Sequence, residues 1–522
     1  MTLARAHGAV IVGVEALVVE IEAFLAQGLP GISIIGLADT AVGEARDRVR
    51  AAIHNCQLPW PSERRITVGL SPASIHKKGA SLDLGIALSL LAAQEQVPTL
   101  EGVLAFGELA LDGRVCPVKG ALVATIAAKK AGIKTVIVSN AQVREASLVT
   151  GVDVVGAATL SEAVAFVRGQ EIPPSPSEPI IPVSPSSDLD MSEVRGQGEA
   201  RLALEVAAAG GHHAAFLGSP GVGKTMLAER LPTLLPQLDA DTSLDVTAIH
   251  SVAGRLADFS GLITQPPFES PHHTATMASL IGGGSSHIRI GLVTLAHSGV
   301  LFLDEAAEFD RRVLDALRQP MESGVVSVAR SGFSLVMPAR FQLVIASNPC
   351  PCGKFVGTGA DCSCTPLSRR RYFSRLSGPL LDRIDIRVTL EKPTLAQLDS
   401  TSGSPESSSV IRARVLQARE RAAHRMRELP WHLNAQVPGA IMRRLFPIDI
   451  DTLAREPISI ARASSHPVSR QSNRTSGMSM RGQDRVLRMA WTFADLNGHD
   501  KPSADDIDSA IKFRDGDGTW QV

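Results

Sequence analysis

Ala214-Ala215-Phe216-Leu217-Gly218-Ser219-Pro220-Gly221-Val222-Gly223-Lys224-Thr225 is the stretch whose reading decides the fold. Its first four residues are apolar and read as a strand. The next eight satisfy G-x-x-x-x-G-K-[ST] in full. Glycines at this spacing let backbone N–H groups close round phosphate oxygens. Lys224 is placed to reach β- and γ-phosphates, and the Thr225 hydroxyl to ligate Mg²⁺. The run Met226–Leu234 supplies the helix that must follow. Residues Gly218, Ser219, Pro220, Gly221, Val222, Gly223, Lys224 and Thr225 are therefore expected to hold ATP with Mg²⁺.

Three further motifs lie downstream. Leu301-Phe302-Leu303-Asp304-Glu305 is an apolar strand ending in two acids. Asp304 suits the Mg²⁺ shell, and Glu305 suits polarisation of an attacking water. Alone, such a run could be an ordinary strand end; after a P-loop it reads as a second nucleotide motif. Ile345-Ala346-Ser347-Asn348 ends another apolar run, and Asn348 there either positions the lytic water or caps a turn. Leu380-Leu381-Asp382-Arg383-Ile384-Asp385 offers Arg383 either to a neighbouring subunit's nucleotide or to a salt bridge with Asp382 or Asp385. Continuous apolar strands alternating with helices predict a parallel sheet buried on both faces.

Working outward, the 522 residues suffice for about three domains of ~150 residues. Residues 171–190, EIPPSPSEPIIPVSPSSDLD, lack any helical period and read as a linker. Residues 399–409 form a weaker break. This divides the chain into an α+β block over 1–170, an α/β core over 191–398 and a helical block over 410–522. In the first block Ile32–Ile35 reads as a strand. A helix follows from Val42, with Val42, Ala45, Val49 and Ile53 on one face. In the last block residues 454–475 are rich in Ser and Arg, with little amphipathic pattern. The stretch Val10–Val19 is interrupted by Glu15 and reads as a strand pair rather than a signal peptide. No run approaches the ~18 apolar residues of a membrane span. A cytoplasmic location without membrane partners is expected. Net charge is −1, so any nucleic-acid contact must come from a local patch. Arg369, Arg370, Arg371 and Arg375 form the sharpest basic cluster. They suit phosphates, a solvated helix face or an intersubunit ion-pair set. Arg330 and Arg340, in the β-like segment Val325–Arg340, and His287 and Arg289 are further basic candidates.

Four of the six cysteines crowd into 350–364, as Cys350-Pro-Cys352 and Cys362-Ser-Cys364. Four thiolates suit tetrahedral Zn²⁺, with glycines between the pairs to let the loop fold round it. Reduced thiols or an occasional disulfide are the alternative. His212-His213 and His272-His273 read as structural, since adjacent histidines on a loop rarely both reach one ion.

In this order the motifs resemble the AAA+ superfamily, in its magnesium-chelatase-like branch. The stretches 28–53, 114–124, 211–236, 270–285, 295–324 and 376–386 resemble the ComM/YifB family, so the likeness spans nearly the whole chain. The resemblance implies a AAA+ ATPase core with a helical lid and homohexameric rings with nucleotide at the subunit interfaces. It matches Asn348 to sensor 1, Arg383 to the Arg finger supplied in trans, and Arg481 to the sensor 2 Arg of the lid. It also implies an ATP-driven DNA motor, on branched or single-stranded DNA. In the family that motor serves branch migration of recombination intermediates after natural transformation. An ATPase subunit for metal insertion into a tetrapyrrole is the alternative. Residues 1–170 are similar to Lon-type protease domains, which use a Ser–Lys dyad. The Ser motif is Lys78-Gly79-Ala80-Ser81, but the position matching the dyad Lys is Leu122. An inactive domain is expected, with Ser81 as the N-cap of a helix over Leu82–Leu90.

Overall fold

The computed structural model describes residues 2–37, 39–74, 77, 79–173, 189–256, 261–283, 289–330, 333–355, 359–394, 405–448 and 479–515. Lys78, His287 and the stretch 454–475 lie outside them. The chain divides into two compact units. One comprises 1–184 with 239–264 and 327–337; the other comprises 185–238, 265–326 and 338–522.

The first unit is built on a hairpin. β1 (Thr2–Val12) and β2 (Glu15–Gln27) pair antiparallel with Val12 opposite Glu15. Alternation buries Val19, Ile21, Ala23 and Leu25 on one face of β2, the period of two that a half-buried strand requires. β3 (Gly31–Ile35) runs parallel to β4 (Arg64–Ser71), and the crossover between them is helix Thr40–Asn55. That helix starts where Asp39 accepts the Val42 N–H at 2.9 Å, and it buries Val42, Ala45, Val49 and Ile53 as the spacing predicts. After β5 (Val103–Ala105) comes a short pair, β6 (Glu108–Leu109) and β7 (Val115–Cys116). β8 (Thr135–Ser139) and β9 (Asp153–Ala157) complete a seven-stranded sheet in the order β3-β4-β2-β1-β5-β8-β9.

Ser81 is not the N-cap it was expected to be. Helix Asp83–Ala93 begins after Leu82 without a side-chain cap. The Ser81 hydroxyl, buried, donates instead to the Ala9 carbonyl of β1 at 2.8 Å. Asp83, in the same helix's first turn, is buried against the Arg48 guanidinium at 2.7 Å. Leu122 is fully buried in helix Ala121–Lys130.

The second unit carries a five-stranded sheet. Its strands are β10 (Ala214–Gly218), β11 (Phe268–Glu269), β14 (Val300–Leu303), β17 (Gln342–Ser347) and β18 (Ile386–Leu390), in the order β11-β14-β17-β10-β18. Every pairing is parallel, with Ala214 opposite Val344 on one side and Ile386 on the other. A smaller ribbon of this unit is β12 (Gly282–Gly283) with β13 (Arg289–Ile290); the ribbon of β15 (Val325–Arg330) with β16 (Phe333–Pro338) falls for the most part in the first unit. Helices Ser408–Arg425 and Met480–Asn497 pack onto helix Gly198–Gly210, the first of them also onto Lys224–Leu234, and helix Ala504–Asp515 packs onto Met480–Asn497 and β18. Val415, Ala418, Val486, Met489 and Ile507 share one apolar core with Phe216 and Val344.

A buried polar chain pins these helices to the sheet. Asp385, just before β18, pairs with Arg485 and with His212 Nδ1 at 3.0 Å. His212 Nε2 meets Thr492 Oγ1 at 2.8 Å, and Asn434 links Thr492 to Asp495, which Arg425 holds at 2.7 Å. The Arg485 charge and the His212 hydrogen bond offset the desolvation of Asp385, whose carboxyl is held well below the usual carboxylate range. His213 Nδ1 accepts the Leu343 N–H at 2.9 Å, and His297 Nδ1 accepts the Arg340 N–H at 3.1 Å. Both rings are therefore neutral, and burial pushes each pKa down to about 4. Arg485 near the first and Arg340 near the second act in the same direction, against a pull from Asp385 on the first.

The sign of the resulting pH dependence follows. Below its ordinary value of 6.5 each histidine takes a proton in the unfolded chain but refuses it in the folded one. Each contribution is complete above that value and is lost as pH falls towards 4. The stability of the second unit in urea titrations should drop over this window, by on the order of 3 kcal/mol for each ring. His297→Gln, whose carbonyl oxygen keeps an acceptor for Arg340, should flatten the drop. An unchanged pH profile in that variant would refute the assignment.

Candidate active site

β10 is the strand around which the site assembles. It lies inside the sheet, between β17 and β18, so its C-terminal end opens where the strand order reverses. Ligands of open α/β sheets bind at such a point. There the chain turns through Gly221 (φ 74°) and Gly223 (φ 98°) into helix Lys224–Leu234. Both values lie in the left-handed region that side chains avoid, which is why glycine occupies these positions.

Lys224 is largely buried. Its Nζ donates to the carbonyls of Gly218 at 2.7 Å and Ser219 at 3.0 Å, and to Asn348 Oδ1 at 3.0 Å. Burial lowers its pKa from the ordinary lysine value, partly countered by Asp304 and Glu305. A cation held by neutral oxygens is under-compensated, and an anion is the partner it lacks. Thr225 Oγ1 donates to Asp304 Oδ2 at 2.7 Å, so two hard oxygen ligands of the kind Mg²⁺ takes converge at one point. The residues present fit the metal.

Asp304 and Glu305 follow β14, the second strand from β10. Asp304 Oδ1 accepts the Glu305 N–H at 2.8 Å. Glu305 takes φ 49°, a strained value for a residue with a side chain. Its exposed carboxylate meets His273 Nδ1 at 3.3 Å. Asn348 follows β17, the strand between β14 and β10. P-loop, acidic pair and amide therefore come from three neighbouring strands and share one edge.

The sequence-predicted residues divide accordingly. Lys224, Thr225, Asp304, Glu305 and Asn348 are brought together. Arg383 is not joined to them by any contact among the described residues. Its guanidinium pairs with Glu322 and donates to the Pro379 carbonyl at 2.6 Å. The alternative, a salt bridge to Asp382 or Asp385, does not form: Arg514 faces Asp382 and Arg485 takes Asp385. Arg481 is exposed on the first turn of helix Met480–Asn497. In the basic cluster, Arg375 pairs with Glu308 at 2.9 Å and Arg369 lies 3.8 Å above the Phe355 ring.

Of the paired histidines, His212 and His213 are structural, as expected. His273 was missed. It touches Glu305, and only the strand order that brings β11 beside β14 could have revealed it. The four cysteines meet: their sulfurs lie within 4.8 Å of one another.

Three family descriptions match. "Magnesium chelatase, subunit ChlI" covers residues 190–398, "Subunit ChlI of Mg-chelatase" covers 21–142, and the ChlI C-terminal model covers 405–514. The chain is 46% identical to an uncharacterized protein of Mycobacterium tuberculosis, over 98% of this chain and 99% of that one. It is 38% identical to the competence protein ComM of Haemophilus influenzae, over 98% of each chain. It is also 38% identical to YifB of Escherichia coli K12, over 98% of this chain and 97% of YifB. A likeness to the magnesium-chelatase 38 kDa subunit of Rhodobacter capsulatus, at 26% identity, covers 30% of this chain. With its P-loop at the end of an inner strand of a parallel sheet and its likeness to ComM and YifB running the length of the chain, the protein belongs to the ComM/YifB family of magnesium-chelatase-like AAA+ ATPases.

Proposed function

We propose that this ATPase is a cytoplasmic, ring-shaped motor acting on DNA, and that it drives branch migration of recombination intermediates during natural transformation. The observation that carries the ATP half is the convergence of Lys224, Thr225, Asp304, Glu305 and Asn348 at one sheet edge. In this reading the Gly218–Thr225 backbone and Lys224 hold the phosphates, and Thr225 and Asp304 hold Mg²⁺, which neutralises developing charge. Glu305 takes a proton from the attacking water, and Asn348 orients that water. Arg383, from a neighbouring copy in a homohexamer, and Arg481, from the lid, meet the γ-phosphate. For Arg383 this requires giving up Glu322. A Zn²⁺ ion at Cys350, Cys352, Cys362 and Cys364 belongs to the same reading.

The DNA half rests on the near-full-length likeness to ComM. The matched family descriptions, which name a chelatase subunit, favour a second reading: an ATPase that drives metal insertion into a tetrapyrrole. The likeness to a named chelatase subunit covers 30% of the chain, so the DNA reading stands first. The Lon-like character of the first unit is part of the proposal, without proteolysis. The Ser81 hydroxyl is spent on Ala9, and the position of the dyad Lys is the buried Leu122.

ATP turnover of the full-length protein should rise with four-way-junction or single-stranded DNA and stay level with a porphyrin and Mg²⁺. Stimulation by the porphyrin alone would overturn the DNA reading. Glu305→Gln should keep nucleotide binding while turnover falls by about 10²–10⁴-fold, the usual worth of a positioned base. Normal turnover in that variant would remove Glu305 from its role.

A further inference from the structure

We infer that the zinc ion of the four-cysteine loop braces the P-loop, so that nucleotide affinity depends on the metal; this rests on the zinc reading proposed above. The sulfurs are arranged for one ion. Cys350 Sγ lies 3.3 Å from Cys352 Sγ and 3.6 Å from Cys362 Sγ, and Cys352 and Cys362 are 3.6 Å apart. Cys364 Sγ falls within the same 4.8 Å cluster. A tetrahedron of thiolates about 2.3 Å from zinc has sulfur–sulfur edges of about 3.8 Å. A disulfide needs about 2.05 Å, and all four cysteines are free. An all-thiolate set selects a soft or borderline ion such as zinc over Mg²⁺. Four protein ligands leave no open position, which makes the site structural.

The ligands tie the end of β17, beside the P-loop lysine, to the start of a helix. Cys350 lies two residues beyond Asn348, whose amide oxygen holds Lys224 at 3.0 Å. Cys364 lies two residues before helix Pro366–Phe373, whose N-cap is Thr365 and whose Tyr372 is buried. Between the cysteine pairs, Gly353 turns with φ 74° directly against the P-loop. A Cβ placed on it would stand 2.5 Å from Pro220 Cδ and 2.7 Å from Cγ. No side chain fits there, so the loop's backbone backs the third residue of the phosphate cradle. Cys350 is the only fully buried cysteine of the four. An ion held by all four thiolates would contribute folding free energy to the segments that bear them. With the metal gone, both Pro220 and the Asn348–Lys224 contact lose their backing.

The test uses the full-length protein and a fluorescent ATP analogue with Mg²⁺. Elemental analysis should find one zinc per chain. After stripping with a thiol-directed mercurial and a chelator, analogue affinity should fall roughly tenfold or more, the scale expected when positioning groups shift by about an ångström. Returning zinc after reduction should restore it. Gly353→Ala should keep its zinc and still bind the analogue more weakly, which separates the brace from any general loss of folding. Absence of zinc would overturn the metal reading itself. Zinc present, with unchanged affinity in the stripped protein or in the Gly353→Ala variant, would leave the metal in place and overturn the brace.

Discussion

One buried ammonium organises the nucleotide half of this molecule. Lys224 is anchored by carbonyls of its own loop and by Asn348 from the neighbouring strand. These contacts exist because β10 and β17 run parallel and adjacent, so both end at the same edge. A single antiparallel partner would send one of the two groups to the far side of the sheet. The all-parallel sheet in turn demands cover on both faces. The alanine-rich helix Gly198–Gly210 and the C-terminal helices Ser408–Arg425 and Met480–Asn497 supply part of that cover, so these C-terminal helices share the core of the sheet.

The second constraint is the way buried charge is disposed round Asp385. A carboxylate removed from water is tolerable only if cations and hydrogen-bond donors face it. Arg485 and His212 do so, and His212 continues through Thr492 to helix Met480–Asn497. The Arg485 guanidinium also donates to the Arg383 carbonyl at 3.0 Å. The helix bearing Arg481 is thus coupled, through a defined set of hydrogen bonds, to the segment that carries Arg383. Breaking one member strands a charge and costs more than the pair contributes.

Much of this was legible in residue order. Motifs that act through their own backbone, such as Gly218–Thr225, carry their geometry in local spacing. So do continuous apolar strands and the helix face of Val42, Ala45, Val49 and Ile53. What could not be read depended on partners distant in sequence. Ser81 resembles a helix cap until Ala9, far upstream, offers its carbonyl across the sheet. Asp385 and Arg383 are close enough in the chain to suggest an ion pair, yet each finds a better-placed partner in Arg485 and Glu322. His273 reaches Glu305 only through strand adjacency. Cysteine spacing announced the cluster but not its neighbour Pro220, which is fixed by the turn at Gly353.

Arg383 bears directly on the proposed ring. Within one chain its guanidinium is already engaged with Glu322 and the Pro379 carbonyl, and its side chain is nearly buried. Glu322 is itself exposed, on the short helix Arg318–Ser323. An exposed carboxylate gives up a partner more cheaply than a buried one, because water takes over its hydrogen bonds. Exchange of Glu322 for a phosphate oxygen of a neighbouring copy would therefore cost little on the carboxylate side and would gain a bidentate, doubly charged partner. The buried pair Arg485–Asp385 lacks that freedom. The two arginines differ in their partners: Arg485 faces a buried carboxylate, and Arg383 an exposed one.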